Sequence, residues 1–340
     1  MQSNRVESLD NLRVLATFAV ILVHVSHPLT EQIHHQYWWV ANLYDSSARF
    51  CVPIFLMISG SLLLDKQEGI KSFLSKRMTR ILLPFLFWNT IYLLVNQYFL
   101  YESSKQFFGI NELIKAYLKG ASFHFWYVYM ILGLYLFIPF LTVWTTLKKQ
   151  SQMLYFLGIW LITITVSCLP LKYQQYSLDL PYFSKFIGYL LIGYWLSNQE
   201  IPRKTAQVSG FILFISGIAI TYYTTQWATL QQNIFTHQYY DYCTLNVAMT
   251  SIGVFLMVKN LPILEIKILQ KIRDSLAKFS YGIYLVHILV LDKIVSLTPI
   301  NYTYINPAIG ILLTTILCFF ISFFVVSMVN RLPFGNKISG

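Results

Sequence analysis

The chain has 340 residues, of which 56% are hydrophobic and only 11% charged, and its mean hydropathy is +0.54. So few charges exclude the water-facing surface of an ordinary globular domain. The net charge of +11 does not point to nucleic acid, because the basic residues sit in short segments between apolar blocks, where they set topology and meet anionic headgroups.

The apolar blocks are about 17 to 24 residues long, the length a helix needs to cross roughly 30 Å of hydrocarbon. Taken in chain order they predict an all-α, polytopic membrane helical bundle of about ten transmembrane helices, over 10–29, 45–64, 80–100, 122–145, 152–170, 182–198, 206–226, 239–258, 277–297 and 307–329. The first block ends in Ser26-His27-Pro28 without a small-residue cleavage site, so it is expected to be retained. With the N-terminus cytoplasmic, inner segments hold about eighteen Lys and Arg against about four outside, which predicts that both termini are cytoplasmic. Tyr37, Trp38 and Trp39 then fall at the outer interface. With no internal repeat and no long linker, residues 1–340 read as a single membrane domain. Cys51, Cys168, Cys243 and Cys318 form no close pair, which speaks against a disulfide framework or a zinc site.

Ionisable groups inside a span are costly, so each needs a partner, a wet cavity or a task. In the first block, Arg13 and His24 are eleven residues apart. On a helix that spacing returns to within about 20° of the starting direction and climbs roughly 16 Å. A guanidinium at the cytoplasmic mouth holds phosphate through paired hydrogen bonds, and an imidazole deeper in the span exchanges protons near neutral pH. A topology arginine plus a histidine satisfied by a neighbouring helix fits the same spacing.

Asp45 and Arg49 open the second block four residues apart; they either pair with each other or leave Asp45 to orient His24. His24, His27, His34 and His35 raise the question of a metal, and none is expected, because no carboxylate or cysteine is read at ligand spacing on a shared helix. In the inner loop, Lys76, Arg77 and Arg80 make a cationic edge suited to a polyanionic cytosolic ligand or to lipid headgroups. His124 precedes the aromatic run Phe125-Trp126-Tyr127, and Tyr281, Tyr284 and His287 put hydroxyls and an imidazole on an otherwise apolar span. These four are candidate contacts for a sugar or polyol on the outer side.

Together these residues resemble the acyltransferase 3 family of membrane acyltransferases. The resemblance is carried by Leu9-Asp10-Asn11-Leu12-Arg13 followed by His24, by Pro53-Ile54-Phe55-Leu56-Met57-Ile58-Ser59-Gly60, by Arg77-Met78-Thr79-Arg80 with Pro84, by His124-Phe125-Trp126-Tyr127, and by Ser280-Tyr281-Gly282-Ile283-Tyr284-Leu285-Val286-His287. It is strongest for the short, stand-alone bacterial members, including those that O-acetylate enterobacterial common antigen.

The resemblance implies a multi-pass protein of the bacterial cytoplasmic membrane that takes an acetyl or other short acyl group from acetyl-CoA to a hydroxyl of a surface glycan or lipid-linked sugar. It matches Arg13 and His24 to the family's essential arginine and histidine, and Arg77 and Arg80 to its cytoplasmic basic motif. The expected reaction has the donor's nucleotide end on Arg13, Arg77 and Arg80 and its thioester near His24. His24 then acts as general base, with Asp45 orienting it, or is itself acylated first. Membrane lipids are the other expected partner, a homo-oligomer is compatible, and a transporter or flippase of a glycan or small metabolite is the alternative.

Overall fold

A computed structural model describes residues 2–66, 68–147, 150–168, 185–261, 266–299 and 304–340, without the side chains of residues 2–6. Lys148, Lys149 and Lys172, and the expected span ends at 169–170 and 182–184, lie outside the described residues. The helices in chain order are α1 (Gln2–Thr30), α2 (Trp38–Ala48), α3 (Cys51–Leu63), α4 (Ile70–Ser104) and α5 (Ile110–Lys119). They continue with α6 (Trp126–Thr146), α7 (Gln150–Val166), α8 (Ile187–Ser197), α9 (Arg203–Gln232) and α10 (Leu245–Lys259). The last four are α11 (Lys267–Lys278), α12 (Ser280–Lys293), α13 (Pro307–Asn330) and α14 (Gly335–Ile338). No strand occurs among the described residues.

Eight helical stretches among the described residues are long and apolar enough to cross a membrane: Glu7–Thr30, Trp38–Leu63, Ile70–Ser104, Phe123–Thr146, Arg203–Gln232, Gln238–Lys259, Ser280–Leu297 and Pro307–Asn330. The remaining two expected spans correspond to α7 and α8, which are shorter. Seventeen residues in α7 rise only about 25 Å, and eleven in α8 about 16 Å, at 1.5 Å each. A pair of short helices that enters and leaves on one side gives the same charge alternation as a pair that crosses. Charge asymmetry therefore constrains the parity of the count and not its value.

The second span begins at Trp38, ahead of the expected 45, and is interrupted at Arg49 and Phe50. Pro53 is the third residue of α3, where a helix has no use for the missing N–H. The Trp38 indole donates to the Thr30 carbonyl at 2.7 Å, meeting one of the acceptors that the end of α1 leaves open.

The chain divides into two compact units, each assembled from three stretches. One contains Met1–Gln67, Leu141–Lys278 and Pro299–Ile316; the other contains Glu68–Phe140, Phe279–Thr298 and Leu317–Gly340. In the first unit, Leu9, Leu12, Ala16, Ala19 and Val23 follow helical spacing and are buried, which fixes the inward face of α1. α3 and α8 approach closely enough to require glycine: a Cβ on Gly60 would stand 1.9 Å from the Leu190 carbonyl oxygen, and one on Gly193 would stand 2.3 Å from that of Met57. Ser61 ties the same pair, its hydroxyl 3.0 Å from the Gly193 carbonyl and 2.6 Å from Ser197 Oγ. α11 is anchored by Arg273, whose guanidinium is 2.9 Å from Glu7.

In the second unit, the Trp88 indole on α4 donates to the Ser339 carbonyl at 3.3 Å, docking the end of the chain. α5 occupies a stretch expected to be loop. It exposes Ile110, Ile114 and Leu118 one turn apart, with Glu112 and Lys115 between them and Lys119 after, the pattern of a helix lying in a membrane interface.

Candidate active site

In the first unit, α1 is helical without interruption between Arg13 and His24, so the two side chains do share a face. Arg13 is half-buried and ion-paired with Asp10 one turn earlier. Thr17 Oγ donates to the Arg13 carbonyl at 2.8 Å. His24 is half-buried, between the buried Val23 and Val25.

One turn beyond His24 lies His27, which the sequence offers only as one of four histidines considered for a metal. Asp45, fully buried on α2, has both oxygens engaged: Oδ1 accepts from Arg49 Nε, and Oδ2 lies 3.0 Å from His27 Nδ1. The Asp45–Arg49 pairing expected from their spacing is present, and the histidine joined to that pair is His27. The guanidinium of Arg49 lies 4.3 Å from the centroid of the Tyr240 ring, over its face. Tyr240 is itself held by its hydroxyl, 2.6 Å from Asn42 Oδ1.

The segment after α9 brings His237 to this cluster, with its ring centroid 5.4 Å from that of His27. Burial first, and then the neighbouring His27 and Arg49, lower the pKa of His237 and favour its neutral form. Glu31 stands 3.8 Å from His27 Nε2. The i, i+4 spacing of His27 and Glu31 was visible in the sequence and was missed. The approach of His237, from a distant part of the chain, carried no sequence signal.

In the second unit, α4 carries Arg77 and Arg80 in its first three turns. Arg80 is exposed. Arg77 is 3.9 Å from Glu68 and sits over Phe73, and Lys76 is 3.4 Å from the same Glu68. The buried Nε of Arg77 has no hydrogen-bond partner among the described residues. The expected cationic edge is thus partly neutralised by a carboxylate just ahead of the helix.

His124, Tyr284 and His287 come together in this unit and are buried. His124 Nε2 faces the Leu285 carbonyl at 3.3 Å, so that nitrogen carries the proton, and Nδ1 accepts from Ser122 Oγ at 2.9 Å. The Tyr284 hydroxyl donates to the His124 carbonyl, and His287 Nδ1 donates to the Tyr284 carbonyl at 2.6 Å. The His124–Leu285 and Tyr284–His124 bonds lock α12 against the start of α6. The Tyr281 ring lies nearly parallel to that of Tyr284, with centroids 6.3 Å apart. The Tyr281 hydroxyl donates to the Ile81 carbonyl at 3.0 Å, beside Arg80 on α4. Tyr281 is the second residue of α12, and His287 lies almost two turns further along.

No curated protein and no solved structure matches the chain. A family profile described as an acyltransferase domain, that of acyltransferase 3, matches residues 6–327. That span takes in Arg13 and His24, the basic start of α4 and the His124–Tyr284–His287 cluster, and it is nearly the whole of a chain built from membrane-length helices. The chain belongs to the acyltransferase 3 family and is a membrane acyltransferase.

Proposed function

We propose that the chain moves a short acyl group, acetyl in the first instance, from cytosolic acyl-CoA to a hydroxyl of a surface glycan or lipid-linked sugar, as the stand-alone bacterial O-acetyltransferases it resembles do. The observation that carries this reading is the uninterrupted helix between Arg13 and His24. It sets a phosphate-binding fork and a proton acceptor on one face, about 16 Å apart along the axis, a distance suited to a pantetheine arm.

Arg13 takes a phosphate at the nucleotide end, its fork oriented by Asp10. Arg77 and Arg80, in the second unit, are assigned to donor phosphates by the same chemistry. The Arg77 Nε–H, which has no acceptor among the described residues, suits a phosphate oxygen. At the other end of the path, His24 removes the proton from the acceptor hydroxyl as its oxygen attacks the thioester carbonyl carbon. The tetrahedral adduct collapses with cleavage of the carbon–sulfur bond. The departing thiolate takes the proton back from the imidazolium, leaving an ester and free CoA. General-base assistance of this kind is worth about 10² to 10⁴ in rate.

The test is transfer of labelled acetyl from acetyl-CoA to glycan by purified wild type and His24→Ala, with thermal unfolding run in parallel. A loss of about 10² or more in turnover at unchanged stability is expected. A folded variant with normal transfer overturns the assignment of His24. Mass spectrometry of surface glycans from cells with and without the chain identifies the acyl group and the acceptor.

A further inference from the structure

We propose that His27, Glu31 and His237 form a binding site for a divalent transition metal of the zinc class, in the first unit at the end of α1 away from Arg13. The three side chains each present one ligand atom, and those atoms all lie within 4.8 Å of one another. Ligands around tetrahedral zinc stand about 3.3 Å apart, given bonds of about 2.0 to 2.1 Å. His27 Nε2 and Glu31 are already 3.8 Å apart, and Glu31 and His237 are both exposed, so side-chain rotation closes the remaining difference. Two imidazoles and one carboxylate form a ligand set that leaves a fourth position open to water or another oxygen ligand.

A second observation separates this cluster from a chance meeting of surface groups. A metal-bound histidine is normally oriented by a carboxylate on its other ring nitrogen. Here the fully buried Asp45 lies 3.0 Å from His27 Nδ1. Arg49 is also near that nitrogen, at 3.4 Å. The closer contact, with an anion, fixes Nδ1 as the protonated donor and leaves the lone pair of Nε2 facing Glu31. The Arg49 charge is already matched by Asp45. Phe235 packs edge-on against both rings, at 5.8 Å from His27 and 4.6 Å from His237, and holds them on one side of the cluster.

A bound ion would staple the segment after α9 to the end of α1 through three bonds. Metal binding here is independent of acyl transfer, and so is its readout.

The experiment uses untagged full-length protein in detergent, stripped with a chelator and titrated with Co²⁺, whose d–d absorption reports tetrahedral coordination. One equivalent is expected to develop the band, and Zn²⁺ is expected to bleach it. Glu31→Gln and His237→Gln alter exposed side chains and leave Asp45 and Arg49 in place. Each is expected to weaken Co²⁺ binding by about tenfold or more, in line with the sensitivity of metal sites to their immediate partners. Absence of the band, or unchanged affinity in both variants, overturns the site. So does loss of the band in a His34→Gln, His35→Gln double variant, because the ion then resides on the exposed histidine pair.

Discussion

Asp45 Oδ2 lies 3.0 Å from Nδ1 of His27, and the other oxygen of the same buried carboxylate accepts from Arg49. One side chain thus neutralises a buried guanidinium and orients an imidazole. Replacing it with Asn leaves Arg49 uncompensated in a site with little water, a change that costs about 3 to 5 kcal/mol. The thermal midpoint of purified Asp45→Asn is expected to fall sharply. An Asp45→Asn, Arg49→Met double variant should recover much of the loss, because the unpaired charge is gone. A double variant no more stable than the single one would mean that the pair does not hold this region together.

That relationship marks the boundary of what the sequence made legible. The α1 pattern was readable because Arg13 and His24 lie on one element, where spacing alone decides whether side chains share a face. The Asp45–Arg49 pair was readable for the same reason. His27 was not assigned to it, because the loop between α1 and α2 sets which turn of α1 meets α2, and a hydropathy pattern does not encode that. His237 arrives from beyond α9 and was invisible for a stronger version of the same reason. Most of the spans were legible from block length. α7 and α8 stand where spans are expected and are shorter than the other eight, and α5 and α11 are amphipathic helices in stretches that read as connections.

The approach of α3 to α8 is tight enough to test by adding one carbon. Gly193→Ala would put a methyl 2.3 Å from the Met57 carbonyl oxygen, which is backbone and does not rotate away. Overpacking of this kind costs about 1 to 3 kcal/mol, and the loss should appear in thermal unfolding. Gly133→Ala is the matched control on α6, since a Cβ there meets nothing within 4 Å. Removing that glycine's backbone freedom is expected to leave stability unchanged or slightly raised. Equal losses at both positions would show that glycine at 193 is not a packing requirement.

Tyr284 separates a packing role from a substrate-binding one. Its buried hydroxyl donates to the His124 carbonyl, so Tyr284→Phe should cost about 1 kcal/mol of stability, the net worth of a typical hydrogen bond. With the hydroxyl engaged in this way, acceptor KM is expected to stay near the wild-type value. A rise in acceptor KM at unchanged stability would return the residue to the sugar site assigned to it from sequence.

Glu68 sits against the cationic start of α4, 3.4 Å from Lys76 and 3.9 Å from Arg77, and competes with any polyanion for that edge. Glu68→Gln removes the competing charge without removing a donor from the helix. If Arg77 and Arg80 hold the phosphates of the acyl donor, the variant should bind acyl-CoA about two- to fivefold more tightly, the range expected of partly exposed ion pairs. The gain should shrink as salt is added, because screening weakens both the competitor and the ligand. Arg77→Ala should move affinity in the opposite direction, and the two changes together should not add, since Glu68 then has less cation to shield. Acyl-CoA affinity measured by calorimetry at low and physiological ionic strength checks all three. An affinity indifferent to both substitutions would place the donor phosphates elsewhere and leave the α4 edge to lipid headgroups.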